Sequence, residues 1–104
     1  MTTAARVTTI LTAAEIEERL AETLVRLAER VGRPCPEGVL LGLSREDLAQ
    51  MVGTNHFSVS RQLAQWESEG FLLSRREIVI VVDGPGLLAA TRGEGASEDE
   101  RRAV

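Results

Sequence analysis

The sequence has 104 residues, 43% of them hydrophobic and 27% charged, a size and balance that suit one globular domain with a modest core. No apolar run approaches the roughly 18 residues that a membrane span needs, and Met1–Arg6 lacks the apolar stretch of a signal peptide, so the expected location is the cytoplasm. A single cysteine, Cys35, and a single histidine, His56, exclude an internal disulfide and any multi-cysteine or multi-histidine metal site. The formal net charge of −4 counts against a nucleic-acid partner on charge alone. Its distribution weakens that argument, because Glu94, Glu98, Asp99 and Glu100 all fall near the C-terminus.

Residues 1–11 give weak structural signals. Thr12-Ala13-Ala14-Glu15 fits a capping box, in which a hydroxyl and a carboxylate satisfy orphan backbone donors at a helix start. Ile16, Leu20, Leu24, Leu27 and Val31 then recur at helical spacing and predict one buried stripe. Gly32 follows, where a left-handed C-terminal cap is expected. The outer face of this helix carries Glu15, Glu17, Glu18, Glu22 and Glu29.

Residues 33–38 contain two prolines and a glycine and read as a rigid loop. Cys35 lies in it, beside Arg33. A redox or ligand role is open to such a thiol, and a small surface spacer is the favoured reading. Val39-Leu40-Leu41 is a short strand candidate. Ser44-Arg45-Glu46-Asp47 is a second capping-box-like start, opening a short helix with Leu48, Ala49 and Val52 that stops at Gly53.

Asn55 is the expected N-cap of the next helix, which runs to about Glu69 and turns Val59, Leu63 and Trp66 inward. Two helices joined by a short turn with a glycine have the helix-turn-helix signature. Phe71-Leu72-Leu73 and Ile78–Val82 are apolar, β-branched runs separated by Ser74-Arg75-Arg76-Glu77, a hairpin with a charged tip. Asp83-Gly84-Pro85 ends the second strand and caps a short helix from Gly86 to Thr91. Residues 93–104 read as a disordered acidic tail. The expected fold is mainly α with a small β-hairpin (α+β), a winged helix-turn-helix over residues 12–92.

In such a fold the second helix of the pair buries one face and offers the other to a DNA major groove, which is wide enough to admit a helix. At ~100° per residue, Phe57, Arg61 and Ala64 lie opposite the buried stripe, with Ser58, Ser60 and Gln65 on the flanks. No acid occurs on this helix before Glu67. Arg61 is the best candidate base reader, since its planar fork matches the O6 and N7 acceptors of guanine. An intramolecular ion pair with Glu46 or Glu69 is the competing reading. Phe57 suits a thymine methyl or, equally, a neighbouring protein surface. His56 suits a phosphate or is a plain surface histidine. Ser44, Thr54, Asn55, Ser58 and Ser60 complete the candidate DNA-contacting set on the helix-turn-helix, with Arg75 and Arg76 on the hairpin reaching for a phosphate or a minor groove. Trp66 belongs to the core. No nucleophile–acid arrangement surrounds the one histidine and no phosphate-binding glycine loop is present, so no catalytic site and no enzyme activity is expected.

The stretch Leu43–Thr54 followed by Ser58-Val59-Ser60-Arg61-Gln62-Leu63, with Trp66–Leu72 after it and Glu18–Ala28 before it, resembles the C-terminal domain of the cyclic-AMP receptor protein/FNR superfamily of bacterial transcription regulators. The resemblance covers residues ~15–90. It implies a recognition helix over Asn55–Glu69, a wing over 71–82, a contacting role for Arg61, homodimers on palindromic double-stranded DNA, and contact with RNA polymerase. Many members carry Arg-Glu early in the recognition helix, where this chain has His56 and Phe57, so the usual half-site does not carry over. Members also have an N-terminal sensor and a dimerisation helix. The stretch before residue 12 is too short for either, so the chain is expected to be a fragment or a stand-alone module, with no cofactor implied. A homodimer would then use the N-terminal helix. The alternative function is a winged-helix protein-interaction module that no longer reads DNA.

Overall fold

The structure is a computed structural model, and it describes residues 11–92. The expectations for the first ten residues and for the acidic tail lie outside the described residues. Helix α1 (Ala13–Val31) begins with both halves of the expected capping box. The Glu15 amide donates to Thr12 Oγ1 at 3.1 Å and the Thr12 amide donates to Glu15 Oε1 at 2.9 Å. Its inner stripe seats Leu20 and Leu24 in the core with Ile16 and Leu27 half-buried, but Val31 is 67% exposed. Periodicity fixes an angle around the helix, whereas burial also needs a neighbour at that height.

Gly32 has φ −72° and ψ 156°, an extended conformation, so the expected left-handed cap does not form. The position favours glycine for another reason. A Cβ there would sit 2.6 Å from the Ala28 carbonyl oxygen and would also overlap the Val39 side chain. The segment expected as a loop is instead a strand, β1 (Arg33–Cys35), paired antiparallel with β2 (Gly38–Leu41) through Pro34 opposite Val39. Cys35 therefore lies in an edge strand. An edge tolerates Pro34, because the missing N–H can face away from the partner strand.

Helix α2 (Arg45–Val52) starts on a reciprocal Ser44–Asp47 capping box and ends at Gly53, whose φ of +93° is the left-handed cap geometry. Helix α3 (His56–Ser68) follows, with the Asn55 carbonyl oxygen Oδ1 accepting from the Ser58 amide at 2.9 Å. Gly70, at φ +86°, turns the chain into β3 (Leu72–Arg75), which pairs with β4 (Ile78–Val81). Ser74 and Arg75 thus belong to a strand, and Arg76-Glu77 alone make the turn. Helix α4 (Gly84–Thr91) starts two residues earlier than expected, because Pro85 is tolerated in a first turn, and Asp83 caps it.

The four strands form one antiparallel sheet in the order β1-β2-β4-β3. The winged helix-turn-helix is therefore built on a larger sheet than a lone hairpin. Val39 opposite Val81 and Leu41 opposite Val79 join the two hairpins. Leu20, Leu24, Leu41, Leu48, Leu63, Trp66, Leu72 and Leu87 are each at most 2% exposed and form a single core with their neighbours. Burial of each such side chain stabilises by about 1.5–3 kcal/mol. Among the described residues every fully buried one is apolar, so the polar chemistry of the domain lies at its surface.

Candidate nucleic-acid interface

The turn between α2 and α3 is fixed by backbone bonding. The Gly53 and Thr54 amides both donate to the Ala49 carbonyl, at 2.8 and 2.9 Å. Val59, Leu63 and Trp66 are sealed against the core, and the opposite face of α3 is left uncovered by the other described residues. Phe57, Arg61 and Ala64 are all exposed there. Phe57 is 68% exposed, and the His56 ring lies against it with centroids 4.1 Å apart and an interplanar angle of 32°.

Arg61 makes no ion pair among the described residues, with Glu46 and Glu69 or any other acid. It borders a small cleft of about 80 Å³ between the start of α1 and the flank of α3, lined also by Ala13, Ile16, Ser58, Gln62 and Gln65. The Gln62 amide nitrogen is shielded there without a hydrogen-bond partner. Ser58 and Ser60 are half-buried on the flanks and Thr54 is half-buried in the turn. Asn55 and Ser44 are engaged through their side-chain oxygens as helix caps. The Asn55 amide group and the Ser44 hydroxyl proton remain as donors.

The two wing arginines differ. Arg76 is exposed at the turn and has no ion-pair partner among the described residues. Arg75 is turned back onto α3, its Nη1 donating to Glu67 Oε2 at 3.1 Å and to the Ser74 carbonyl at 2.7 Å. The other Glu67 oxygen accepts from the Ser74 amide at 3.0 Å. Arg45, at the start of α2, donates to Ser74 Oγ at 3.3 Å. One polar cluster thus ties α2, α3 and the wing together. The Ser74 amide, and then the Arg75 guanidinium, hold the Glu67 carboxyl below the usual glutamate range. This cluster was not foreseen from the sequence, where Glu67 appears only as the first acid on the helix. A carboxylate seven residues before a backbone donor leaves no periodic signal.

At the far end of α3, Glu17 of α1 is half-buried and faces Glu69. Burial, reinforced by the Glu69 charge, pushes its carboxyl above the usual range.

A two-helix unit joined by a glycine turn, with its second helix exposed on one face and a strand hairpin beside it, defines the winged helix-turn-helix class. The family model for the Crp-like helix-turn-helix domain matches residues 18–90. This chain belongs to that family. Among solved structures it is similar to the CO-dependent transcription factor CooA from Carboxydothermus hydrogenoformans, at 32% identity and a TM-score of 0.63, over 68% of this chain and 34% of that one. The CooA N127L/S128L mutant aligns at 28% identity and a TM-score of 0.67, over 86% of this chain and 41% of that one. TTHB099, a CRP-family transcriptional regulator from Thermus thermophilus, aligns at 25% identity and a TM-score of 0.66, over 75% of this chain and 40% of that one. The chain therefore spans about a third to two fifths of the length of these structures. No curated protein matches. These relatives are transcription regulators, and no helix among the described residues is long and apolar enough to cross a membrane.

Proposed function

We propose that this chain is the DNA-reading domain of a sequence-specific transcription regulator working in the cytoplasm. Helix α3 enters the major groove and the wing lies along the backbone. The observation that carries this reading is Arg61. It stands exposed, and without an ion pair among the described residues, on the outer face of a helix whose other face is sealed. In that position its guanidinium reads a guanine edge. Phe57 meets a thymine methyl beside it. His56, Ser58, Ser60, Thr54, the Asn55 amide, the Ser44 hydroxyl and Arg76 supply phosphate contacts that set register. Arg75 joins them only by leaving Glu67. A homodimer on a palindromic site and contact with RNA polymerase complete the proposal.

The test is selection from a randomised duplex library at low salt. Recovery of a motif that loses one position with Arg61→Ala supports the reading. A motif unchanged by that substitution removes Arg61 from the readout, and retention without any motif removes sequence specificity.

A second reading, a protein-interaction winged helix, draws on the 68% exposed Phe57 and the net charge of −4. There Phe57 is an anchor buried by a partner. Salt separates the two, because DNA binding weakens steeply as salt rises whereas an apolar contact does not.

A further inference from the structure

The cleft between the start of α1 and the flank of α3 has two unlike walls. Ala13 and Ile16 of α1 supply an apolar wall. Ser58, Arg61, Gln62 and Gln65 of α3 supply the other, at spacings that keep all four on one side of the helix. That wall carries a hydroxyl, a guanidinium and two amides, and no carboxylate lines the cleft. Gln65 is engaged, its Nε2 donating to Glu69 Oε2 at 3.4 Å. Arg61 has no ion pair, and the Gln62 amide nitrogen no acceptor, among the described residues. A shielded donor left without an acceptor carries a free-energy cost that an entering acceptor recovers. The terminal torsion of a glutamine is soft, so the Gln62 amide can turn that N–H into the cleft. A cation and an unused donor thus stand beside apolar carbon in a space of about 80 Å³.

We propose that this cleft binds a short-chain aliphatic carboxylate, and that the bound acid takes Arg61 away from DNA. The carboxylate accepts from the Arg61 guanidinium, whose fork matches two oxygens, and from the Gln62 amide. The alkyl chain lies on Ile16 and Ala13. The space sets the size of the ligand, since a cavity of about 150 Å³ takes benzene and roughly half of that suits an acid of about two to four carbons. A neutral amide of the same shape brings Arg61 no charge. A bare oxyanion such as phosphate leaves the apolar wall without a partner. The link to DNA rests on the DNA-reading proposal, in which Arg61 reads a base, whereas the binding of the acid does not.

The test is a titration of the full chain with propionate at constant ionic strength, followed by NMR without DNA. The expected result is saturable shifts at Ile16, Arg61 and the Gln62 side-chain amide, with a Kd on the order of 1 mM for so small a ligand. Propionamide and inorganic phosphate bind about tenfold or more weakly. Arg61→Gln removes the charge, and Ala13→Leu fills the cleft from an exposed position. Each weakens propionate binding about tenfold or more, and the spectra themselves report that each variant folds. Shifts that do not saturate, equal binding of propionamide or phosphate, or indifference to either substitution overturn the site. Duplex binding is then measured on the motif recovered by library selection. Saturating propionate weakens it in the parent and leaves Arg61→Ala unaffected, and no change in the parent overturns the link to DNA. Failure of the DNA-reading proposal would appear in the library selection and leave the propionate titration untouched.

Discussion

Glu67 on α3 accepts the backbone N–H of Ser74 on β3 at 3.0 Å, so a helix side chain takes the place of a neighbouring strand at the edge of the sheet. That bond ties the helix to the wing. Glu67→Ala leaves the Ser74 amide without this acceptor and is expected to cost about 1 kcal/mol in urea unfolding. Glu67→Gln keeps an acceptor and costs less. It also releases Arg75, and under the DNA-reading proposal binding then tightens, with a salt slope steeper by up to about one unit.

The same carboxylate contributes an acid-sensitive part of the stability. Its folded-state pKa is lowered, chiefly by the Ser74 amide and then by Arg75. Folding therefore favours the ionised form, and the stabilisation is present above the unfolded carboxylate's titration at about pH 4.3. It is lost as pH falls through the lower folded-state value. Glu67→Gln should flatten that part of the stability profile, and a profile identical to that of the parent would contradict the assignment.

Glu17 has the opposite sign. Burial and the Glu69 charge raise its folded-state pKa, so its ionisation weighs against folding at neutral pH. The cost disappears as pH falls through the raised folded-state value. Glu17→Gln is expected to raise the melting temperature at pH 7 and to leave it nearly unchanged near pH 4. A gain of equal size at both pH values would point to something other than charge.

Two glycines at helix ends separate two kinds of constraint. Gly53 has φ +93° with nothing within 4 Å of the place a Cβ would take, so Gly53→Ala is expected to cost about 1–2 kcal/mol through backbone strain alone. Gly32 has an ordinary φ, but its Cβ would overlap Val39 and the Ala28 carbonyl. Trimming the neighbour with Val39→Ala should therefore recover part of the loss in Gly32→Ala, whereas no such partner exists for Gly53. Double-mutant unfolding measures both.

Arg61→Ala and Phe57→Ala should leave the unfolding midpoint within about 0.5 kcal/mol of the parent, since both side chains are exposed. Under the DNA-reading proposal Arg61→Ala nonetheless loses about 1–3 kcal/mol of discrimination at one base pair. Competition binding against single-base variants of the selected site reads this directly.

The helical part of the fold was legible because its signals are local. Thr12 with Glu15, Ser44 with Asp47, Asn55, and the glycines at 53 and 70 mark helix ends within a few residues of chain, and Val59, Leu63 and Trp66 fix the inner face of α3 by spacing. What was missed depends on partners distant in sequence. Strand β1 looks like a loop because of Pro34 and Pro36, and only its pairing with β2 makes it a strand. The junction of β2 with β4 joins residues some forty apart, and no pattern in either segment announces it. The outer face of α3 could be read from spacing, but the Glu67 cluster that holds Arg75 back could not.

Helix α3 divides its residues cleanly between two tasks. Val59, Leu63 and Trp66 hold the fold, while Phe57, Arg61 and Ala64 face outward. Replacing the outward set is close to neutral for stability, so this surface can be rewritten by single substitutions without first acquiring compensating changes in the core. Descendants of one such chain can then diverge in what they contact while remaining equally foldable.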